Sequence, residues 1–559
     1  MSSEDGAFVS SSPIALLPDE LLGAIFLLNS LKVQEVDDNT DAPLHDRHAT
    51  LLATSAVCKR WREVAFSYPV LWGNVIDFEK HSDKWIEELL RRSKSSLIDV
   101  GEQSAFKAIH LRNPKSRPIL QSLARDRSKL RTLSLNIRIS PFDYICQNFL
   151  QHPAPNLEYF NLITSSPFPE FLHPDPLFMD QAPRLREFHL QRCLVDFRSV
   201  ALHHLTSLSV MDIISPGILS FRRPNHPLKV APTVRGWLEI LKDIPSLQYL
   251  TLHNAITRTD FDRDTLSSLK GIDLPNLIFL TIGAELQDGA VFLNHVSIPG
   301  ACGIRLRLNC QRSSLGKSGE DLLTYLGQRL SHWPHDSPDR YLQAKALSGS
   351  RIHFGNSHRV GYVWDMTEPD VIADHKRSSS DPLTWLVLSF NTSEDTLGFF
   401  DKLLSLYQPT YATTTVLVLW LDEEFARTSN NDPALPAFDV QVLHSFTSVK
   451  ALNLLERSPL YLLPLFQSAS SATSTILPSL RSLRLTKTNF EDEQRAAYFT
   501  VLAFLFWRTH VQAPVAELQV IDGKINAETV DSLERNGNVK IMQAPLQYIP
   551  VDYLSDGGP

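Results

Sequence analysis

The chain changes its hydrophobic rhythm near residue 100. Before that point apolar residues recur at helical spacing; after it they recur in a fixed short phrase. From Pro13 the text reads PIALLPDELLGAIFLLNSL. Pro18 stands where its missing N–H costs a helix nothing, and Asp19 and Glu20 suit the positive end of the helix dipole. Leu21, Leu22, Ile25 and Phe26 then make one apolar face. Residues 32 to 48 are charged and contain Pro43, which predicts a solvated loop. A second helix carries Leu51, Leu52, Ser55, Val57, Cys58 and Trp61, and Val64 to Trp72 complete a short helical unit. About 60 residues bury only a marginal core, so part of this apolar surface is expected to meet a partner.

Beyond residue 100 the phrase is apolar, two residues, apolar, one residue, apolar. It occurs at Leu130, Leu157, Leu185, Leu205, Leu247, Leu277, Leu383, Val449, Leu480 and Val515, counting from its first position, with weaker copies at Leu306 and Leu417. Pro and a small polar residue often introduce it, as in Pro155-Asn156, Pro245-Ser246, Pro275-Asn276 and Pro478-Ser479. A recurring phrase at roughly 20–29 residues is the signature of leucine-rich repeats, one strand and one helix each. The interval between Leu308 and Leu383 breaks the rhythm. It holds SSLGKSGED, a helix-like LLTYLGQRL, and the strand-like RIHFG and VGYVWD, and reads as one or two degenerate repeats with an insertion. The expected fold class is α/β: a small all-α unit followed by a curved solenoid of parallel strands and helices. The expected divisions are a disordered tail at 1–12, the helical unit at 13–78 and a linker helix at 79–100. The solenoid at 101–545 follows, with an irregular insertion at about 309–382, and then a tail at 546–559.

The residues of the first unit resemble a known family. LPDELLGAIF, then VCKRWREVA, then YPVLW, in that order from Leu17 to Trp72, look like the F-box, in the F-box-like form of fungal proteins with divergent leucine-rich repeats. The departure is the long insertion between Phe26 and Ala49. The resemblance implies a docking surface for the Skp-type adaptor of an SCF-type cullin ubiquitin ligase. Leu17, Pro18, Leu21, Leu22, Ile25, Phe26, Val57, Cys58 and Trp61 would be the unit's core or adaptor-facing residues. It also implies a non-catalytic subunit that recruits a protein substrate by position. The rival readings are a plain repeat scaffold and an F-box protein acting outside a ligase.

In a strand, alternate residues face opposite sides, so residues between the leucines point away from the leucine core. Those positions hold aromatic and arginine residues, the types that anchor interfaces. They are Tyr159, His189, Tyr249 and Phe279, then Arg305, Arg307, Trp385, Trp420 and Arg484, all candidates for substrate contact. Arg131 joins them from a basic stretch. Residues 107 to 138 carry nine bases against Asp126 alone, while residues 1 to 48 carry nine acids against Lys32 and Arg47. Such a basic stretch is most often a solvated helix face. Clustered arginine also recognises carboxylate or phosphate through paired hydrogen bonds, so the alternatives are that this edge reads an acidic or phosphorylated segment of a substrate or docks the chain's own acidic 35–46 loop.

Composition narrows the remaining classes. The formal charge is −8, with 43% hydrophobic and 21% charged residues, the balance of a folded soluble protein. The start, MSSEDGAFVSSS, lacks the basic and apolar runs of a signal peptide, and the longest apolar stretch, Tyr498 to Trp507, is half a membrane span. A cytoplasmic or nuclear protein without nucleic-acid or membrane partners is expected. The five cysteines (Cys58, Cys146, Cys193, Cys302, Cys310) form no CxxC pair. Gly316-Lys317-Ser318 ends like a phosphate-binding loop, but Gln311 occupies the place of the required earlier glycine. His203-His204 has no carboxylate or cysteine to complete a metal site. No catalytic residue, metal or cofactor is expected.

Overall fold

The helix that opens the chain's first unit starts where Pro18 permits. In the computed structural model, α1 spans Asp19–Ser30, with Asp19 and Glu20 in its first turn. α2 (Arg47–Ala56), α3 (Lys59–Ser67), α4 (Pro69–Asn74) and α5 (Asp83–Arg92) follow. The structure describes residues 13–30, 47–76, 81–101, 109–111, 116–137, 142–164, 170–171, 176–214, 231–258, 269–300, 302–309, 316–331, 340–346, 350–356, 385–391, 416–421, 444, 446–455, 457–469, 475–491 and 495–544. The VGYVWD segment and the acidic residues 35–46 lie outside them. The chain divides into two compact units at Leu205/Thr206.

In the first unit, α1 packs on α2, α3 and α4. Leu22, Phe26, Leu51, Val64, Ala65, Leu71 and Trp72 form the core between them. The segment expected as a linker helix contains α5 and then β1 (Ile98–Val100), which already pairs in parallel with β3 (Leu130–Ile137). β2 (Ile109–Leu111) pairs with the later half of β3. The sequence phrase detects neither, because three residues are too few to carry it. α6 (Ser116–Arg125) and a tight turn at Arg127–Lys129 lead into β3. β4 (Tyr159–Thr164) and the Glu187–Gln191 strand extend the parallel ladder. Phe160 stacks on Phe188 with ring centroids 5.3 Å apart, so each phrase leucine position meets its counterpart in the next strand.

The second unit repeats this construction. The Ser207–Met211, Tyr249–His253, Phe279–Glu285, Gly303–Asn309 and Trp385–Asn391 strands pair in parallel, in that order. The register aligns Leu208, Leu250, Leu280 and Leu386, each the phrase's second apolar position, with Ile304 in the same row. A second parallel run holds Val416–Leu421, Ala451–Leu455, Ser482–Thr486, Glu517–Ile521 and Lys540–Ala544. Between the two runs sits a hairpin of Arg340–Ala346 and Ser350–Asn356. Its second strand pairs antiparallel with Trp385–Asn391, and its first pairs parallel with Val416–Leu421. The RIHFG segment is therefore a strand, while LLTYLGQRL lies in the Gly316–Ser331 helix.

Two local devices explain the rhythm. Before five strands the chain makes a four-residue turn containing proline, in which the first phrase residue donates its N–H back three residues; Leu130 and Leu205 make the same bond, to Arg127 and Leu202, without proline. The bonds run from Leu157 to Ala154, Leu185 to Ala182, Leu247 to Ile244, Leu277 to Leu274, and Leu480 to Leu477. Proline (155, 183, 245, 275, 478) occupies the second turn position each time, where its fixed φ is preorganised. The polar residue after it ties successive turns together. Asn156 donates to Ser128 O at 2.8 Å, Asn276 to Pro245 O at 3.1 Å, and Ser479 to Thr447 O at 2.6 Å. At the other end, Arg192, Asp212, Asn254, Lys487 and Asp522 directly follow their strands with φ between 49° and 57°. That left-handed residue turns the chain off the ladder while its N–H still bonds the neighbouring strand, as Asp212 does to His253 O and Asn254 to Gly283 O, both at 2.8 Å.

Candidate functional site

α1 shows two apolar faces at helical spacing. Leu22 and Phe26, four apart, are buried in the unit's own core. Leu21, Ile25 and Leu28 lie at i, i+4 and i+7 on the other side and are 52%, 40% and 66% exposed. Of the two roles expected for these residues, core or adaptor-facing, Leu22 and Phe26 take the core: the helix turns them inward. Leu16 (75% exposed) and Val57 (60%) are further uncovered aliphatic side chains of the same unit, and Ile14, Leu52, Phe66 and Val70 are also exposed. Scattered exposed leucines are ordinary, but nine large apolar side chains open within 57 residues are far above the usual density. Leu17 is half-buried and Pro18 exposed at the start of the stripe.

The two phrases that carry the resemblance are joined by one side chain. Arg60, from VCKRW, donates through Nε to Asp19 Oδ1 at 2.9 Å and through Nη2 to the Leu17 carbonyl, from LPDE. This places the start of α3 against the start of α1. Cys58 is exposed and caps α3, its Sγ accepting the Trp61 N–H at 3.5 Å. Trp61 is half-buried and meets Phe26 with ring centroids 5.2 Å apart, so it braces the core side of α1. Cys58 and Trp61 hold the geometry of the surface, while Val57 belongs to the surface itself. Gly23 is required between these faces: a Cβ there would stand 2.2 Å from the Tyr68 ring. Periodicity has no means of finding that contact.

α5 locks onto the same unit. The Arg92 guanidinium lies 4.5 Å from the Trp72 ring centroid, 4.9 Å from Phe66 and 5.5 Å from Trp85, a three-sided cation–π contact. Glu88 pairs with Arg92 at 2.6 Å and with Arg91 at 2.7 Å. Hydrogen bonds from Arg91 and then Arg92 hold the Glu88 carboxyl down to about 2.

A compact helical module with an open apolar stripe, and no described cluster of groups suited to chemistry, defines a docking domain. Residues 14–76 match the family described as F-box-like. F-box domains generally bind Skp-type adaptors in cullin ligase complexes, and F-box proteins are typically non-catalytic adaptors. No curated protein matches the chain. Among the described residues no group of three or more His, Cys, Asp and Glu side chains could hold a metal, and no helix is long and apolar enough to cross a membrane.

The alternate positions of the ladder are more enclosed than the strand pattern predicts. Tyr159, Tyr249, Phe279, Arg305 and Arg484 are buried, and so are the neighbouring Ser134, Asn161, Thr251 and Thr281. Parallel strands in register stack like residues side by side, and each row shields its members from water. These five side chains therefore expose under a tenth of their surface each. His189 and Arg307 are half-buried, His189 lying against Tyr159 with centroids 5.2 Å apart. The side chains of Trp385 and Trp420 lie outside the described residues. Arg131 is also corrected. It makes a two-point ion pair with Asp99, at 3.0 and 2.5 Å, across the β1–β3 pairing. That bond keeps its guanidinium firmly charged and removes it from the basic cluster expected to read a substrate. Arg125 donates to Ser122 Oγ and Arg127 to Ala124 O, both at 3.0 Å, while Lys129 pairs with Asp126 at 2.8 Å.

Proposed function

We propose that this chain is the substrate-recruiting subunit of an SCF-type ubiquitin ligase. The F-box-like domain docks a Skp-type adaptor through the α1 stripe of Leu21, Ile25 and Leu28, joined by Leu16, Pro18 and Val57. The strand ladder, read as divergent leucine-rich repeats of a curved solenoid, holds a protein substrate through its alternate face, where His189 and Arg307 remain accessible. The work is positional: a substrate held beside the charged E2 is present at high effective concentration, and no bond-making group of this chain is required. In this reading the protein acts in the cytoplasm or nucleus, on a protein target, without nucleic acid or membrane.

One observation carries the proposal. The family match covers the same residues whose apolar side chains stand open. Covering these three aliphatic side chains, 40–66% exposed, contributes roughly half of the ~1.5–3 kcal/mol that full burial of each would give. The test is co-purification of the full chain with the Skp-type adaptor, followed by turnover of captured targets when the proteasome is active. Capture of the adaptor by the full chain, together with adaptor-dependent loss of a bound target, is the expected result. An intact protein that binds no adaptor overturns the reading.

A further inference from the structure

Among the described residues Arg305, Arg484 and Arg508 are buried, and each keeps one guanidinium nitrogen without a hydrogen-bond partner. Arg508, fully buried on the Ala496–His510 helix, donates Nη1 to Ile476 O and Leu477 O at 3.0 and 3.2 Å and Nη2 to Leu480 O at 3.3 Å. Arg131 has Asp99. Arg484 has no hydrogen bond and no ion pair among the described residues, although it is only 5% exposed and its Nε is wholly enclosed. Taking a guanidinium from water without a partner is among the costliest things a fold can do. Such a debt is kept where a ligand discharges it.

The surroundings of Arg484 specify the ligand. The register sets it in one row between Asn453 and Gln519. Asn453 Oδ1 already accepts from Thr486 at 3.0 Å, but Gln519 Oε1 and Ser482 Oγ, one step along, are enclosed without partners. The site thus offers a cationic planar donor, a free carbonyl-type acceptor and a hydroxyl on three adjoining backbone positions. Glu517, beside Ser482 in the register, adds a nearby negative charge that favours the charged arginine while burial disfavours it. A group with one negative charge fits this balance better than a doubly charged phosphate.

We infer that Arg484, with Gln519 and Ser482, forms a receptor for a single carboxylate of an acidic protein segment laid on the alternate face of the C-terminal strands. The guanidinium takes the carboxylate, and a backbone N–H of the same segment donates to Gln519. This rests on the substrate-holding role proposed above and names the chemistry that it recognises.

The experiment uses the full chain and a fluorescein-labelled hexaglutamate peptide, read by fluorescence anisotropy at low salt. Hexaglutamine and a hexapeptide of phosphoserine are the comparison probes. The expected result is hexaglutamate binding that falls at least tenfold in Arg484→Met and less in Arg484→Lys. Arg481→Met, an exposed charge on the same approach, should leave it within twofold. The wild-type melting temperature should rise with hexaglutamate and not with hexaglutamine, a readout that survives if the Arg484 variants fail to fold. Equal loss in Arg481→Met, no hexaglutamate binding, or binding by the phosphoserine peptide alone overturns the inference. The substrate-holding reading is judged separately. Target capture that persists in Arg484→Met and is lost in Arg307→Glu leaves that reading standing and removes only this one.

Discussion

Glu88 and Arg508 show how much a single side chain can decide here. Glu88 is drawn far below the ordinary carboxylate value of 4.5 by Arg91 and Arg92. A depressed carboxylate contributes stability that is present above the unfolded value and lost as pH falls through the folded one. Glu88→Gln should therefore lower the denaturation midpoint above pH 4.5, and the deficit should close as pH falls toward 2. Chemical denaturation followed by tryptophan fluorescence across that range checks it, because Trp72 and Trp85 flank the Arg92 that Glu88 holds. A deficit independent of pH would mean that Glu88 acts by packing alone. Arg508 works differently: burial lowers its pKa to about 10, and three carbonyls of the turn before the Ser482–Thr486 strand depend on it. Arg508→Met keeps the volume but removes the guanidinium donors from those carbonyls, of which Leu477 O retains the Leu480 N–H, and a loss of about 2 kcal/mol is expected in urea unfolding. An unchanged midpoint would show that other donors take over the turn.

At the scale of elements, α1 separates folding from binding within one helix. Phe26→Ala empties the core against Trp61 and should cost about 3–5 kcal/mol of stability. Ile25→Asp, one residue away on the open stripe, should leave the melting temperature within a few degrees and abolish adaptor capture in a pull-down. Equal melting losses in both variants would refute the two-faced helix. The strands were legible from the phrase because a ladder in register repeats its leucines in the same order. With the exception of β3, each described strand that carries a full phrase starts two residues after the phrase's first position, as Tyr249 follows Leu247 and Ser482 follows Leu480. β1, β2 and Lys540–Ala544 escaped notice, two of them being only three residues long. The burial of Tyr249 or Arg484 was hidden for another reason. Alternation shows which side of a strand a residue takes, but the shielding comes from neighbouring strands some 30 residues away in sequence. The open and closed faces of α1 were unresolved for the same reason, since Leu21 and Leu22 are equally apolar and only packing tells them apart.

For the whole molecule, the proposed function requires the F-box-like domain and the ladder to act in one chain. The expected outcome is that Leu21→Asp with Leu28→Asp stabilises a cellular target of this protein while leaving the target bound. Immunoprecipitation of the target beside a measurement of its half-life checks this; loss of target binding in that variant would place the substrate on the helical unit instead. The hairpin of Arg340–Ala346 and Ser350–Asn356 bears on how such a long ladder comes into being. Parallel strands can pair only after a crossover of a dozen or more residues has been closed, so their assembly is slow. A hairpin closes over three residues and forms within about 1–10 μs. With a parallel run on either side, it gives the second unit a fast local seed near its middle, from which ordering can spread toward both ends at once.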